Sequence, residues 1–538
     1  MRRRPAVARA APLILLAAAA CSGDSAPSRP DVVLISLDSV RADFLTFLDP
    51  ETAPNLCELA QRGTIFGQAI SGTSWTLPSH LQMFTGMPPV LHGVQEDDIR
   101  LDPELPTLPE LLRSGGYQTA GFYTCWYLSG DYGFARGFER YTNSMQGGDV
   151  LERALREALE SEESLDRRRQ AFQSWKPTNQ FVNSPVVVDG ASEILDEVEE
   201  DEPLFLFAHF FDPHFDYIPP PPFGTRFDPD YAGSITGVDY WTNPRIFDAT
   251  KSPPRQVSDR DLEHLRSLYR GEVAWTDDAI GRLLDHLEDR GRLDETLIIV
   301  TADHGEEFFE HGDRGHRRTL FDEVLRVPLL VVPPRGSAPA PPDRLAQQVS
   351  LSDLLPTVLD YAGLEPSELA HGRSLRPALE GVELESRPLV SSLVIPMKDP
   401  ARGVGRGLYD CLRTPTQKLI RLWSQFEGDP RPRLVSVELY DLVEDPGELS
   451  ARRTLEDRQV RQAWVALERE MDEIRRLWGR IERTPASRLG TEAQEIFSAD
   501  LAHLGYAAVG EAPPGERDER IGYEPLPPAG LAGPQRDP

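Results

Sequence analysis

The chain has few cysteines and far fewer basic than acidic residues, and the charge imbalance excludes one class of partner. Its 538 residues include four cysteines, and 57 lysines and arginines stand against 87 aspartates and glutamates, giving a formal net charge of −30. A protein that binds nucleic acid needs a basic face, so we expect no nucleic-acid partner. An apolar content of 40% is ordinary for a globular protein and supports a sizeable core.

Long apolar runs are also scarce, and the one at the N-terminus is too short to cross a bilayer. Residues 1–21 begin with the basic "MRRR", continue with the apolar "APLILLAAAA" and end at Cys21. This arrangement resembles a bacterial lipoprotein signal, although Ala18 stands where leucine is usual. The alternative is plain secretion with cleavage near Ala20. The first interpretation predicts an exported protein held at the cell envelope, touching the membrane only through a lipid anchor at Cys21.

The remaining cysteines predict neither a disulfide framework nor a thiolate metal site. Cys57, Cys125 and Cys411 are an odd number, so at most one disulfide can form within the chain. None of them has a cysteine partner at metal-ligand spacing.

Apolar runs inside the chain predict buried parallel strands. Residues 31–38 ("DVVLISLD"), 203–214 ("PLFLFAHFFDPH") and 296–307 ("TLIIVTADHGEE") are rich in Val, Ile, Leu and Phe, and a fourth run, "RVPLLVVPP", begins at Arg326. Helical patterns separate the runs. We therefore expect an α/β fold with a mainly parallel sheet covered by helices on both faces.

The pattern changes after about Ala362, which predicts a second unit. "RGLYDCLRTPTQKLIRLW" and "RLVSVELYDL" are typical of strands in a small antiparallel sheet, and a helical pattern follows over residues 453–480. The predicted organisation is a signal peptide (1–21), a linker (22–30), a catalytic domain (31–362), a C-terminal α+β subdomain (363–483) and a partly disordered tail (484–538). Residues 151–175 and 219–227 are predicted insertions that shape the substrate pocket.

A polar residue ends each of the three core runs, although a buried apolar strand does not require one at that position. Asp38 closes the first run, Asp212 and His214 the second, and Asp303 and His304 the third. The carboxyl ends of parallel strands meet at one edge of a sheet, so these groups can converge. Carboxylates with a neutral imidazole suit one divalent metal ion. Each residue also has a simpler explanation: a helix cap, a core histidine or a solvated turn.

The stretch "SGTSWTLPSHLQMFTG" places Thr76 and Pro78 at the head of an apolar run. Pro78 fits a first helical turn, because its missing N–H would have no partner there. Thr76 then lies just outside a helix N-terminus, where unpaired N–H groups favour a bound anion. An ordinary helix start explains the same residues.

Four stretches, in this order, resemble the core motifs of the sulfatase family, within the alkaline phosphatase superfamily. They are "VVLISLDSVRAD", "SGTSWTLPSHLQMFTGMPPVLHGV", "LFLFAHFFDPHFDYIPP" and "IIVTADHGEEFFEHGDRGHRRTLFDEVLRVPLLV". The resemblance extends over about residues 31–363, and the later "LYDLVEDPGELS" and "LAHLGY" are similar to the family's C-terminal subdomain.

The resemblance implies a role for each matching position. Asp38, Asp303 and His304 would ligate the metal, and Thr76 stands where the family places its nucleophile, which also touches the ion. His214 and His316 stand where relatives bind the anionic oxygens and protonate the leaving group. His80 replaces the arginine that supports the nucleophile in many sulfatases, and we expect no organic cofactor.

Two departures from the family bear on the substrate and the metal. Sulfatases that use formylglycine make it from Cys or Ser, which Thr76 excludes, so the usual hemiacetal route for sulfate release is closed. Ser39 replaces a second Asp found in many sulfatases, leaving a ligand set with fewer carboxylates. This set favours Mn²⁺ or Zn²⁺ by chemistry, whereas the family resemblance also allows Ca²⁺.

These features predict a metal-dependent hydrolase of sulfate or phosphate esters that acts on a small anionic ester through a covalent threonyl intermediate. The alternative is a phosphodiester or phosphonate hydrolase, or a transferase that moves a phospho-substituent onto envelope lipid or glycan. A binding protein that keeps the fold without activity is a third hypothesis, which the intact set of polar residues disfavours.

Overall fold

The structure, a computed structural model, describes residues 29–143, 184–199, 202–238, 240–337 and 341–479. Its strands are β1 Asp31–Leu37, β2 Thr64–Ile70, β3 Gln118–Tyr123, β4 Arg140–Asn143, β5 Leu204–Phe210, β6 Thr296–Ala302, β7 Glu307–Phe308, β8 Arg314–Gly315, β9 Arg326–Val327, β10 Leu329–Val332, β11 Arg344–Ser350, β12 Leu389–Asp399, β13 Gly403–Arg413, β14 Gln417–Phe426 and β15 Arg433–Asp441. Its α-helices are α1 Pro54–Ala60, α2 Thr76–Thr85, α3 Pro89–His92, α4 Leu108–Ser114, α5 Ser184–Glu197, α6 Phe223–Arg226, α7 Asp259–Asp289, α8 Asp322–Leu325, α9 Leu354–Tyr361, α10 Arg376–Leu379 and α11 Arg458–Trp478.

A large mixed sheet, with strand order β11-β2-β10-β6-β1-β5-β3-β4, forms the centre of the described chain. β1 pairs in parallel with β5 on one side and β6 on the other. Every residue of these three strands is buried, which explains their unbroken apolar runs. The predicted α/β class and the three core strands are confirmed.

The fourth apolar run, beginning at Arg326, does not form the predicted parallel strand. Its main strand, β10, pairs antiparallel with both β6 and β2, and the short β9 is antiparallel to β2. A strand that is buried on both faces is apolar throughout in either direction, so the run carried no signal of its direction. The predicted parallel orientation of this run is wrong, and its predicted place in the central sheet is correct.

Helices cover both faces of the sheet, as predicted. On one face, Phe84 of α2 packs edge-on against Phe207 of β5 at 5.1 Å between ring centroids. On the other, α5 approaches β3 so closely that a Cβ atom on Gly190 would lie 2.1 Å from the Phe122 ring. Phe122 pairs with Ala208, the residue after Phe207, and successive side chains of a strand point to opposite faces.

A four-stranded antiparallel sheet, β12-β13-β14-β15, follows the central sheet and packs against α11. This confirms the predicted antiparallel sheet near the C-terminus. Buried ion pairs connect it to the central unit: Lys418 Nζ lies 2.9 Å from both Asp322 Oδ1 and Glu448 Oε1, and Arg413 also pairs with Asp322.

Several predictions fall outside the described residues: the signal peptide, the insertion at 151–175 and the tail from residue 484. The domain boundaries therefore stay predictions. Among the helices that the structure describes, none combines the length and apolar composition of a membrane-spanning segment. Cys57, Cys125 and Cys411 are all free thiols.

Candidate active site

Two acidic residues emerge side by side from neighbouring strands. β1 and β6 pair in register, Leu37 opposite Ala302, so Asp38 and Asp303 follow at the same level. Both side chains are fully buried, with 0% of each residue exposed. The strand topology thus brings together two carboxylates that are far apart in sequence, as expected for the carboxyl edge of a parallel sheet.

Thr76 reaches this edge from helix α2. The helix begins at Thr76 itself, after an extended Trp75, rather than just beyond Thr76 as predicted. Thr76 Oγ1 lies 3.5 Å from Asp38 Oδ2 and 3.4 Å from His304 Nε2. Ser79, one turn along, donates a 2.7 Å hydrogen bond to the Asp303 carbonyl and so fixes the helix start against the end of β6.

Asp38, Asp303 and His304 form a buried cluster whose ligand atoms all lie within 4.8 Å of one another. His304 Nδ1 contacts the Gly305 carbonyl at 2.9 Å; because a carbonyl can only accept, Nδ1 carries the proton and Nε2 presents its lone pair. Asp303 Oδ1 accepts two backbone N–H groups, whereas Oδ2 is buried without a hydrogen-bond partner in the described part of the chain. These donors fit a divalent cation.

Burial shifts the protonation of the cluster. Burial and then the charge of Asp38 raise the pKa of Asp303 well above its usual range. For Asp38 burial acts in the same direction, but neighbouring histidines outweigh it and lower the pKa. Burial and the nearby His316 lower the pKa of His304, so its imidazole is neutral and can act as a ligand.

Ser39 forms a hydrogen bond to each of the two carboxylates. Its backbone N–H donates to Asp303 Oδ1 at 3.1 Å, and its hydroxyl donates to Asp38 Oδ1 at 2.9 Å. Its φ of 60° lies in the left-handed region, which is uncommon for a residue other than glycine. The Tyr269 hydroxyl fixes this turn by donating to the Ser39 carbonyl at 2.7 Å.

His214 and His316 lie beside the cluster. The His316 ring centroid is 4.3 Å from that of His304 and 5.0 Å from that of His214. His214 stacks on Phe211 and contacts the Phe215 carbonyl through Nδ1 at 2.7 Å. Burial lowers the pKa of both histidines, that of His316 to about 3. The structure thus groups these two predicted residues with Thr76 and the ligand cluster.

His80 contacts the backbone of Thr76. Its Nδ1 contacts the Thr76 carbonyl at 2.9 Å, and its Nε2 contacts the Ser36 hydroxyl at 2.8 Å. Burial lowers its pKa to about 3, so the ring is neutral. Both nitrogens are used in holding the first turn of α2 against β1.

Sequence reasoning missed two buried residues of the site. His209, within the apolar run of β5, places Nε2 3.4 Å from Asp38 Oδ2. Glu306, in the "DHGEE" stretch, contacts His316 Nδ1 through Oε2 at 3.2 Å, and burial raises its pKa to about 8. A polar residue inside an otherwise apolar strand was the available signal for His209.

One residue considered from the sequence lies elsewhere. Asp212 follows β5 but accepts a 2.6 Å hydrogen bond from the Ser184 backbone at the start of α5, and burial raises its pKa to about 6. It therefore holds the start of α5 and is not part of the ligand cluster.

Comparison with known proteins agrees with this geometry. The family model described as "Sulfatase" matches residues 30–364, more than half of the chain. The chain belongs to the sulfatase family. A second model of the family, "N-sulphoglucosamine sulphohydrolase, C-terminal", matches residues 310–477, which include the antiparallel sheet. These matches confirm the predicted sulfatase family, whose members generally use a divalent metal ion.

Individual relatives are distant. Arylsulfatase K of Mus musculus is 26% identical over 380 residues, which are 66% of this chain and 63% of that protein. N-acetylglucosamine-6-O-sulfatase of Bacteroides thetaiotaomicron is 24% identical over 513 residues, 82% of this chain and 86% of the relative. Phosphonate monoester hydrolase of Silicibacter pomeroyi superposes with a TM-score of 0.61 at 22% identity, covering 83% of this chain and 95% of its own. The last likeness supports the fold alone.

Proposed function

We infer that this sulfatase-family protein hydrolyses sulfate or phosphate esters in a metal-dependent reaction with Thr76 as the nucleophile. One observation carries the proposal: Thr76 Oγ1 lies within 3.5 Å of both Asp38 and His304, at the edge of a buried ligand cluster. A structural threonine at a helix start has no need of two buried carboxylates and a neutral imidazole, since burying such groups is costly without a partner.

Asp38, Asp303, His304 and the Thr76 hydroxyl would hold the metal ion. A bound dication supplies Lewis-acid chemistry, lowering the cost of deprotonating a nearby hydroxyl and neutralising charge on the reacting anion. The mixed oxygen and nitrogen ligands favour Mn²⁺ or Zn²⁺, and Ca²⁺ remains the alternative that family membership supports.

The chain's own residues then perform the transfer. The Thr76 hydroxyl gives up its proton as Oγ1 attacks sulfur or phosphorus, the bond to the ester oxygen breaks, and His316 or His214 passes a proton to the departing alcohol. Such proton transfer contributes about 10²–10⁴-fold. The first N–H groups of α2 stabilise the transferred anion, because they have no partner within the helix. Water then cleaves the threonyl ester and returns Thr76 to its starting state.

His80 supports the nucleophile through the backbone. By engaging the Thr76 carbonyl and Ser36 together, it fixes the distance between the start of α2 and strand β1. Thr76 Oγ1 is thereby held at the carboxylates of the strand ends, so we propose a positioning role for His80 rather than direct contact with the ester.

The identity of residue 76 favours a second candidate function. Threonine cannot become formylglycine, so the hemiacetal route of sulfate release is closed, whereas hydrolysis of a threonyl phosphate ester needs no such group. The alternative is therefore a phosphodiester or phosphonate hydrolase, or a transferase that passes a phospho-substituent to envelope lipid or glycan. The names of the two curated relatives favour sulfate esters instead.

The proposed location is the bacterial cell envelope. The N-terminal segment ending at Cys21 supports export followed by a lipid anchor, and plain secretion is the alternative. The acidic net charge of −30 fits a small ester as partner and disfavours nucleic acid.

A panel of model esters tests the function. We would measure kcat/KM with 4-nitrophenyl sulfate, 4-nitrophenyl phosphate, a phosphate diester and a phosphonate monoester, each with Mn²⁺, Zn²⁺ or Ca²⁺ added to metal-free protein. The main proposal expects the highest value with a sulfate or phosphate monoester. A diester or phosphonate preference selects the alternative hydrolase, and faster product release with an added alcohol acceptor selects the transferase.

A further inference from the structure

A short hairpin next to the site sets two residues opposite each other. β7 and β8 pair antiparallel, with Glu307 opposite Gly315 and Phe308 opposite Arg314. The next positions beyond this ladder, toward the site, are Glu306 and His316. The hairpin register therefore brings a carboxyl group and an imidazole together at the edge of the ligand cluster.

The two side chains make a direct contact. Glu306 Oε2 lies 3.2 Å from His316 Nδ1, and both residues are buried, with 0% and 2% of their surfaces exposed. The His316 ring also lies against His304, at 4.3 Å between centroids. Glu306 thus lies behind a ring that reaches the ligand cluster.

Packing alone does not explain Glu306. Its Oε1 is buried without a hydrogen-bond partner in the described part of the chain, and Arg41 bonds to its backbone carbonyl rather than to its carboxyl group. Burying a carboxyl group costs free energy that an apolar side chain of similar size would not. The carboxyl group contacts His316 Nδ1 through Oε2, and the neighbouring Tyr217 hydroxyl acts to lower its pKa.

We propose that Glu306 is a positioning residue for His316: it engages Nδ1, fixes the ring orientation and assigns Nε2 to the departing ester oxygen. A carboxyl group behind a reactive histidine also orients the imidazole in other enzymes. This inference rests on the proposed function, in which His316 assists departure of the alcohol. Glu306 itself touches neither substrate nor metal.

The test compares esters whose leaving alcohols depend to different degrees on proton donation. Kinetics with 4-nitrophenyl and phenyl esters, of whichever acid the enzyme turns over, are measured for the metal-loaded wild type, Glu306→Met, Glu306→Gln and His316→Ala. We expect Glu306→Met to lose about tenfold or more of kcat/KM with the phenyl ester and at most about threefold with the 4-nitrophenyl ester. Glu306→Gln, which keeps a hydrogen-bonding group, should recover most of the loss.

Glu307→Gln is the matched control. Glu307 is the adjacent buried acid, but its Oε1 accepts hydrogen bonds from the backbone of His311 and Asp313. A change there should affect both esters by the same factor. If Glu306→Met shows no cooperative thermal unfolding transition, Glu306→Asp is measured in the same way, because its side chain keeps the carboxyl group and is one methylene shorter.

The outcomes separate this inference from the function on which it rests. Combining Glu306→Met with His316→Ala should cost no more than His316→Ala alone, because both act through one ring. Equal losses with both esters, or additive losses in the double variant, overturn the role of Glu306. If His316→Ala itself shows no dependence on the leaving group, the assignment of His316 in the proposed function fails, and the inference fails with it.

Discussion

The Thr76 hydroxyl oxygen lies 3.4 Å from His304 Nε2, although 228 residues separate the two in sequence. Thr76 begins α2, and His304 follows strand β6. The His304 contact with the Gly305 carbonyl leaves the Nε2 lone pair directed toward a hydroxyl and two carboxylates. This relationship places a hydroxyl next to groups that could ligate a cation, and in the proposed function that cation makes the threonine reactive.

The metal assignment predicts coupled losses of metal, stability and activity. Asp303→Asn replaces a ligand oxygen by an amide, and we expect less than one tenth of the wild-type metal content and loss of turnover. At a metal concentration of about 100 Kd, the wild type should also lose about 2.7 kcal/mol of unfolding free energy on chelation. Elemental analysis and thermal melting measure both quantities.

Asp212→Asn is the control for this experiment. Asp212 is a buried acid after the neighbouring strand, but it bonds to the Ser184 backbone instead of the cluster. Its replacement should leave metal content unchanged. Full activity in protein that elemental analysis shows to be free of metal would contradict the metal assignment.

His80 should matter to both stability and catalysis. His80→Ala removes the contacts with the Thr76 carbonyl and Ser36, and leaving buried groups unpaired costs about 1–3 kcal/mol each. We expect a comparable loss of unfolding free energy in urea, together with a reduced kcat. His92, a buried histidine of α3, contacts the carbonyl of Pro78 in α2. His92→Ala should therefore lower the unfolding free energy of the protein without the same loss of kcat.

His311 predicts a pH-dependent contribution to stability. Burial acts to lower its pKa, but Glu323, 3.0 Å away, outweighs burial and raises the pKa above the usual value. A raised pKa in the folded state stabilises the protein below the unfolded-state pKa, and this contribution disappears as the pH rises through the folded-state value. His311→Gln should therefore destabilise more at pH 5.5 than at pH 9 in urea unfolding. An equal difference at both pH values would contradict the ion pair.

The lipid anchor predicts a change of cellular fraction. Cys21→Ser removes the acceptor of the lipid, so the exported protein should leave the membrane fraction and become soluble while its kcat/KM stays the same. Cys57→Ser, which changes a cysteine within the folded domain, should leave the protein with the membranes. Fractionation with immunoblotting distinguishes the two outcomes, and a membrane-bound Cys21→Ser protein would exclude this anchor.

Strong local patterns made part of the fold predictable. The apolar runs that became β1, β5 and β6 are buried on both faces, and their polar ends marked Asp38, Asp303 and His304. The direction of β10 was not predictable, because burial leaves the same pattern in both orientations. Strand β2 was also missed, since "TIFGQAI" mixes buried and half-buried positions without a clear period.

The site was predictable where a resemblance or a strand end supplied a signal, and not where a contact depends on tertiary register. Glu306 meets His316 because a hairpin pairs their neighbours, which no spacing in the sequence reveals. His209 is hidden inside an apolar run, and only the packing of β5 beside β1 brings it to Asp38.

The most direct measurement of the central claim is kcat for Thr76→Ala and Thr76→Ser at equal metal content. Thr76 supplies the attacking oxygen in this account, so Thr76→Ala should lose at least about a thousandfold in kcat with an unchanged melting temperature. Thr76→Ser keeps the hydroxyl and should retain measurable turnover. A folded, metal-loaded Thr76→Ala protein that turns over at the wild-type rate would show that another group attacks the ester.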